Sequence, residues 1–372
     1  LLSSIPGQGL SNYGDFLTAV SPDGSHIAVL KIPSFDKKTM ESVSVELYGA
    51  DFKKLGEVTH TFDYEAKRGP LYQIQVGNDG TVYIANVVDL KKEKPWTDLY
   101  VWAKGTQVLG KHSLKQADNY QITQNYAYFL ENEYYLVSLL SADGSTTFGM
   151  SIDQSGRNSG AAGNALLVTK YTGSKWNYSN RNDFESAVSN LSIKAIMGEQ
   201  SGQYVVMERL QIVEKSGAID VSATNVAKDY TYLNNGYLIA GLDGGDGSIY
   251  WYHRIDTNEP NTRNDNGTYL SVLPLLVSNN LVIVYNETRE ILPKPNSNRK
   301  TDRFPIMEYI SPKGEVMKKQ ELPKAMENPE EGVTELNNFD LDTSVIVPIS
   351  DDKFLIRARE NYSSKYGYLT FP

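Results

Sequence analysis

The chain contains no cysteine, which excludes a disulfide framework, a thiol nucleophile and a cysteine-built zinc site. Histidine is scarce. The four present (His26, His60, His112 and His253) fall one each on four predicted strands, without the i, i+2 or i, i+4 spacing of a zinc site. Long apolar runs are missing as well. No stretch reaches the length of a transmembrane helix, and Leu1–Leu2 is too short for a signal sequence. Because the chain opens without Met, the reading takes it as a processed form whose targeting segment, if any, lies upstream. Positive charge is in deficit: Lys+Arg 36 against Asp+Glu 45 gives a net charge of −9. Nucleic acid and anionic membranes demand the opposite sign, so neither is an expected partner.

Two motif classes are also absent. No G-x-S-x-G elbow exists, which removes the α/β-hydrolase form of serine catalysis. The clusters Asp243–Gly247 and Asn264–Gly267 tempt a calcium reading, but neither fits D-x-[DN]-x-[DN]-G with a distal Glu. No metal, cofactor or catalytic residue is therefore expected.

What the chain does have is strand-and-turn chemistry. Its 25 tyrosines and 29 glycines, with few helix-like patterns, lean towards β structure. The stretch FLTAVSPDGSHIAVLKI sets the theme: two short apolar runs flank Ser21-Pro22-Asp23-Gly24. Pro22 presets φ, Asp23 bonds back to the local backbone and Gly24 accepts a left-handed conformation, so a tight hairpin forms. Similar first turns recur near Asp79, Asn132, Ser201, Asn279 and Asp351. Each opens a four-strand meander with a short turn, a long connection and a second short turn. Spaced meanders of this kind predict an all-β fold, a β-propeller of four-stranded antiparallel blades. Six blades are favoured over seven, the sixth lacking its last strand, and a β-sandwich is the alternative fold. Residues 1–14 read as an N-terminal arm, a donor for closing the ring, and residues 15–372 as the propeller domain.

The hairpin SPDGSHIAVLK resembles the opening of WD40-like, TolB-type propeller repeats. Four pieces in order resemble a family of uncharacterised secreted β-propeller proteins of Bacteroidota: SPDGSHIAVLKIPSFDKKTMESVSVELYGADFKKL, VGNDGTVYIANVVDLKKEK, DGSIYWYHRI and ISDDKFLIRARENYSSKYGYLTF. The similarity spans nearly the whole chain and departs most at 143–163 and 214–235. It implies the propeller fold and a secreted, periplasmic or cell-surface location. It carries no catalytic residues.

Function is read from loop length. In a meander, the second and fourth connections emerge at the same end, and the long segments fall there: 33–41, 89–97, 142–163, 214–235 and 288–304 among the former. Long loops at one end of a rigid scaffold are where binding resides. The expectation is a non-catalytic binding or protein-interaction module taking a protein, peptide or glycan ligand. Trp96, in a polar Lys-rich loop, is its aromatic contact, and Trp176 and Tyr178 are further candidates. The alternative is a propeller enzyme, a glycoside hydrolase or lyase with carboxylates at the channel mouth.

Overall fold

Alternating apolar residues make strands, and the turns between them decide which strands pair. The computed structural model describes residues 15–33, 42–62, 72–88, 95–114, 121–130, 132–141, 164–172, 175–184, 191–199, 202–215, 229–243, 247–257, 262–263, 270–290, 301–322, 340–360 and 363–371. Among these, all regular structure is β, and the sheets are antiparallel meanders. Sheet A holds β1 (Asp15–Val20), β2 (His26–Ile32), β3 (Ser42–Gly49) and β4 (Lys54–Thr61). Sheet B holds β5 (Tyr72–Val76), β6 (Val82–Val88), β7 (Trp96–Trp102) and β8 (Gly110–Leu114). Sheet C holds β9 (Gln121–Leu130), β10 (Glu133–Ser141), β11 (Asn164–Thr172) and β12 (Lys175–Asp183).

Sheet D holds β13 (Ser192–Glu199), β14 (Gly202–Lys215), β15 (Asp229–Leu242) and β16 (Ile249–Ile255), with the short β17 (Thr262–Arg263) beside β15. Sheet E holds β18 (Val272–Val277), β19 (Asn280–Glu290), β20 (Thr301–Ile310) and β21 (Val316–Glu321). Sheet F has three strands, β22 (Asp340–Ser350), β23 (Lys353–Glu360) and β24 (Ser363–Thr370). The all-β, propeller-type architecture expected from the repeated hairpins is the one observed. Two compact units divide the chain: Leu1–Thr146 with Gly160–Ala187, and Thr147–Ser159 with Val188–Pro372. Sheets A to C belong to the first and D to F to the second. The expected arm, residues 1–14, lies outside the described residues.

In each unit the first strands of successive sheets lie side by side, β1 by β5 and β5 by β9 in one, β13 by β18 and β18 by β22 in the other. The core then fills the space between facing sheets. Leu30, Val45, Leu47, Val82, Ile84 and Trp102 pack between A and B; Val206, Ile239, Val272, Leu281 and Ile283 pack between D and E. Strands buried on both faces need a continuous apolar run rather than alternation, as Leu281–Tyr285 shows. The fourth strands β4, β8 and β21 are mostly exposed and carry charge, which blunts their outer edges.

Side chains from the tight turns stitch neighbouring sheets. The Asp23 N–H donates to Asn78 Oδ1 at 3.1 Å, and Asn78 Nδ2 donates to Asn132 Oδ1 at 2.8 Å. The first turns of sheets A, B and C therefore form one chain of contacts. In the second unit Asn286 holds both the N–H (3.0 Å) and the carbonyl (2.8 Å) of Leu341, tying sheet E to sheet F.

Two expected loops are partly strand. Leu210–Lys215 pairs with Asp229–Asn234, extending the β14–β15 hairpin into the stretch read as an insert. Likewise Thr288–Glu290 pairs with Thr301–Arg303. The charged residues Glu214, Lys215, Asp229, Arg289, Glu290, Asp302 and Arg303 in those segments hide the strand signal in the sequence.

Candidate functional site

Each aromatic candidate owes its position to a different strand. Trp96 is the first residue of β7, not part of a loop, and is 8 % exposed. Its indole N–H donates to Asp98 at 2.9 Å. The Lys-rich segment before it disguised the strand start, while the alternation Trp96, Asp98, Tyr100, Trp102 points all four to one face. Trp176 is the second residue of β12 and half-buried, its ring edge-on to Tyr171 at 5.4 Å between centroids. Tyr178 lies two residues on, opposite Lys170, and its side chain is outside the described residues. Trp96 follows the second connection of its meander and Trp176 the third, so they stand at opposite ends of their sheets. Trp96 and Trp176 are therefore not brought together. The long connections themselves, at 34–41, 89–94, 142–163, 216–228 and 291–300, lie outside the described residues.

Buried carboxylates are the second class of candidate, since an enzyme reading needs them free. They are tied up. Asp98, fully buried, accepts from Trp96, from Ser113 Oγ at 2.6 Å and from Lys111 at 3.1 Å. Glu46 accepts from Lys31 (3.0 Å), Lys54 (2.8 Å) and the Tyr48 hydroxyl (2.9 Å). Glu308 accepts from Tyr285 (2.7 Å) and Lys319 (2.8 Å), with His253 at 3.2 Å. Glu133, less buried with 38 % of its side chain exposed, pairs with Lys170 beside Tyr135. Four of the six sheets thus carry a carboxylate, tyrosine and lysine clip, the Tyr100 hydroxyl standing 3.5 Å from Asp98 in sheet B. For Glu308, burial alone raises the pKa, but the bonds from His253, Lys319 and Tyr285 win and hold it at about 2. Such groups are ion pairs of the scaffold.

The arrangement that stands apart is aromatic. Between sheets B and C, Tyr83, Phe129, Tyr134, Tyr171, Trp176 and His112 form one cluster. Tyr83 stacks on Tyr134 at 4.8 Å, Phe129 meets both edge-on, and His112 meets Tyr171 at 5.0 Å. All six flank short turns: the β5–β6, β7–β8, β9–β10 and β11–β12 connections. The cluster therefore sits at the tight-turn end, opposite the end favoured by loop length. Tyr83, Phe129, Trp176 and His112 are half-buried at its rim, while Tyr134 and Tyr171 are buried.

Two buried donors in this cluster have no hydrogen-bond partner among the described residues, the Tyr134 hydroxyl and the Trp176 indole N–H. An unsatisfied buried donor costs about 1–3 kcal/mol, which a core filled for stability alone avoids. The cluster is also neutral. Burial pushes the Tyr134 phenol well above its ordinary pKa, and burial with Asp79 pushes Tyr83 up to about 12. Burial lowers His112, favouring its uncharged form. Neutral rings with unspent N–H and O–H donors can take a neutral ligand that has one apolar face and several acceptors. Trp176 was legible as an outlying aromatic; Tyr134 was missed because its phenol reads as ordinary core.

No family model matches the chain, and no curated protein does. Among solved structures it is similar to the GH93 alpha-L-arabinofuranosidase of Fusarium graminearum in complex with arabinobiose, at 10 % identity and a TM-score of 0.41, covering 96 % of this chain and 92 % of that one. It is also similar to the levansucrase of B. megaterium, at 12 % identity and a TM-score of 0.38 over 84 % of each chain. The WD40 domain of SCAP from fission yeast gives 9 % identity and a TM-score of 0.32, with 95 % and 81 % covered. Similarity of this degree does not transfer an activity.

Proposed function

We propose that the chain is a non-catalytic binding module whose aromatic cluster between sheets B and C takes the ring of a neutral sugar. One observation carries the reading: two buried donors stand without hydrogen-bond partners among the described residues, inside a cluster of half-exposed rings. A pyranose or furanose offers a C–H face to stack on Trp176 or Phe129, and hydroxyl acceptors for the indole and the phenol once the half-buried rim rings turn aside to expose them. The engaged state of Glu46, Asp98, Glu133 and Glu308 supports binding over hydrolysis, because acid–base chemistry needs a carboxylate that can reach substrate. The resemblance of the hairpin repeats to secreted propellers supports an exported setting for this role.

Calorimetric titration with a panel of neutral tri- to hexasaccharides tests it. At least one should bind saturably, and Trp176→Ala should abolish that binding. Tyr134→Phe is the sharper variant. It keeps the ring and deletes the unpartnered hydroxyl, so it should weaken binding by about tenfold while leaving stability equal or higher. A panel without a single binder would overturn the reading. Release of shorter sugars by the wild-type chain would overturn it in favour of the glycoside-cleaving alternative.

A further inference from the structure

A second concentration of unspent chemistry lies in sheet D. A bulge between Glu208 and Leu210 breaks the register of β14 with β15 and sets Arg209 apart from the ladder. Its guanidinium is held rather than free to swing. Nη1 donates to the Asn235 carbonyl at 3.1 Å, and only 17 % of the side chain is exposed. That carbonyl is itself fixed. Asn234, 1 % exposed, accepts from the Gly236 N–H at 2.7 Å and donates to the Leu270 carbonyl. Gly236 has φ +118, and a Cβ there would stand 2.2 Å from the Ile255 carbonyl oxygen, so only glycine can place this corner.

Arg254, near the end of β16, faces the same spot. Its Nε is 2.7 Å from Asp256 Oδ1, and Arg209 Nη1 is 3.8 Å from that same oxygen. The neighbouring Glu208 accepts from the Ser271 hydroxyl at 2.5 Å and, among the described residues, pairs with neither arginine. Two guanidiniums therefore share one exposed carboxylate, and Arg209 Nε is buried without a hydrogen-bond partner among the described residues. In a chain of net charge −9 this is a local excess of positive charge on a rigid mount. Burial and the like charge of Arg254 push the Arg209 guanidinium below its ordinary pKa, with Asp256 offsetting only part.

We propose that Arg209 and Arg254 form an oxyanion site that takes one carboxylate or phosphate group of a small ligand, Asp256 swinging aside to admit it. Planar guanidinium forks suit both groups, and a preorganised Arg209 loses little entropy on binding either. The site lies where β16 leaves sheet D, the end from which the long connections depart.

The experiment is calorimetric titration of the full chain at low ionic strength with inorganic phosphate, with glucuronate, and with glucose as the neutral control. Saturable binding of either anion without glucose binding supports the site, and the arm that binds names the group. Arg254→Gln, at a half-exposed position, should weaken that binding about tenfold. Asp256→Asn should tighten it about threefold by removing the internal competitor, a direction that a merely damaged fold cannot mimic. Failure of both anions to bind, or binding unmoved by the two variants, would overturn the proposal.

Discussion

Two turns with nearly the same sequence sit in different units and are held in different ways. Ser21-Pro22-Asp23-Gly24 joins β1 to β2, and Ser311-Pro312-Lys313-Gly314 joins β20 to β21. Both close with a glycine N–H to serine carbonyl bond (2.8 and 2.9 Å), and both glycines are left-handed, at φ +72 and +84. The first is braced from within. The Asp23 carboxylate takes the Ser21 and Ser25 hydroxyls, each at 2.7 Å, and the Ser25 N–H at 2.9 Å. Those bonds hold its pKa down at about 2. The second lacks an acid and is braced from outside. Trp251, on the neighbouring sheet D, covers it, with its indole and the Tyr250 hydroxyl both donating to the Pro312 carbonyl at 2.9 and 3.0 Å. Both turns have internal bonds, the second through Ser311 Oγ accepting from the Lys313 and Glu315 N–H groups, and the first has one bond out to Asn78; only the second is capped by a ring from the next sheet.

The largest expected effect tests that joint. At Gly314 a Cβ would stand 2.4 Å from the Trp251 ring, whereas at Gly24 it would meet nothing within 4 Å. Gly314→Ala should therefore cost about 4 kcal/mol, being left-handed strain plus eviction of the tryptophan. In a Trp251→Ala background the same change should cost only about 1 kcal/mol, because strain alone remains. Urea unfolding of the four proteins of the cycle measures the coupling. Additive costs would mean that Trp251 does not brace the turn.

A second pair sharpens the same distinction between bracing within a sheet and between sheets. Asp98 draws its donors from β7 and β8 of its own sheet, while Glu308 adds His253 from sheet D to Tyr285 and Lys319 of sheet E. Glu308 has a depressed pKa in the fold, about 2 against an ordinary 4.5, so the unfolded chain binds its proton first as pH falls. Its contribution is complete above about pH 5 and is lost as pH drops through about 2, a change of roughly 3 kcal/mol. Glu308→Gln should flatten the acid limb of the stability profile between those limits and cost about 2–3 kcal/mol at neutral pH. An unchanged acid limb in the variant would remove Glu308 from that role.

These contrasts mark what could be read from residues alone. The repeated hairpins were legible because proline, aspartate and glycine act within four residues, so the meanders and the three-stranded sheet F followed. The burial of Trp96 was not legible: it depends on alternation within β7, which the lysines before it obscure. The candidate sites were less legible still. An unpartnered phenol on Tyr134, or an unpartnered Nε on Arg209, is a property of what surrounds the side chain, and those surroundings come from strands far apart in sequence. Residue type cannot report an absent partner.

The smallest expected effect belongs to the turn that is most conspicuous in the sequence. Gly24→Ala places a methyl group in open space, so only the left-handed backbone resists it, at about 1 kcal/mol. Asp23 keeps its three local bonds, and its own N–H still reaches Asn78, because neither depends on the glycine side of the turn. Unfolding should stay cooperative with an unchanged denaturant slope, and only the midpoint should move. A loss as large as that at Gly314 would mean that the first turn is covered by another part of the chain, and the contrast between a self-braced and a sheet-braced turn would fail. A loss of about 1 kcal/mol would show that a strong sequence motif and a costly position are different things: the first measures what four residues do to each other, the second what the fold has stacked against them.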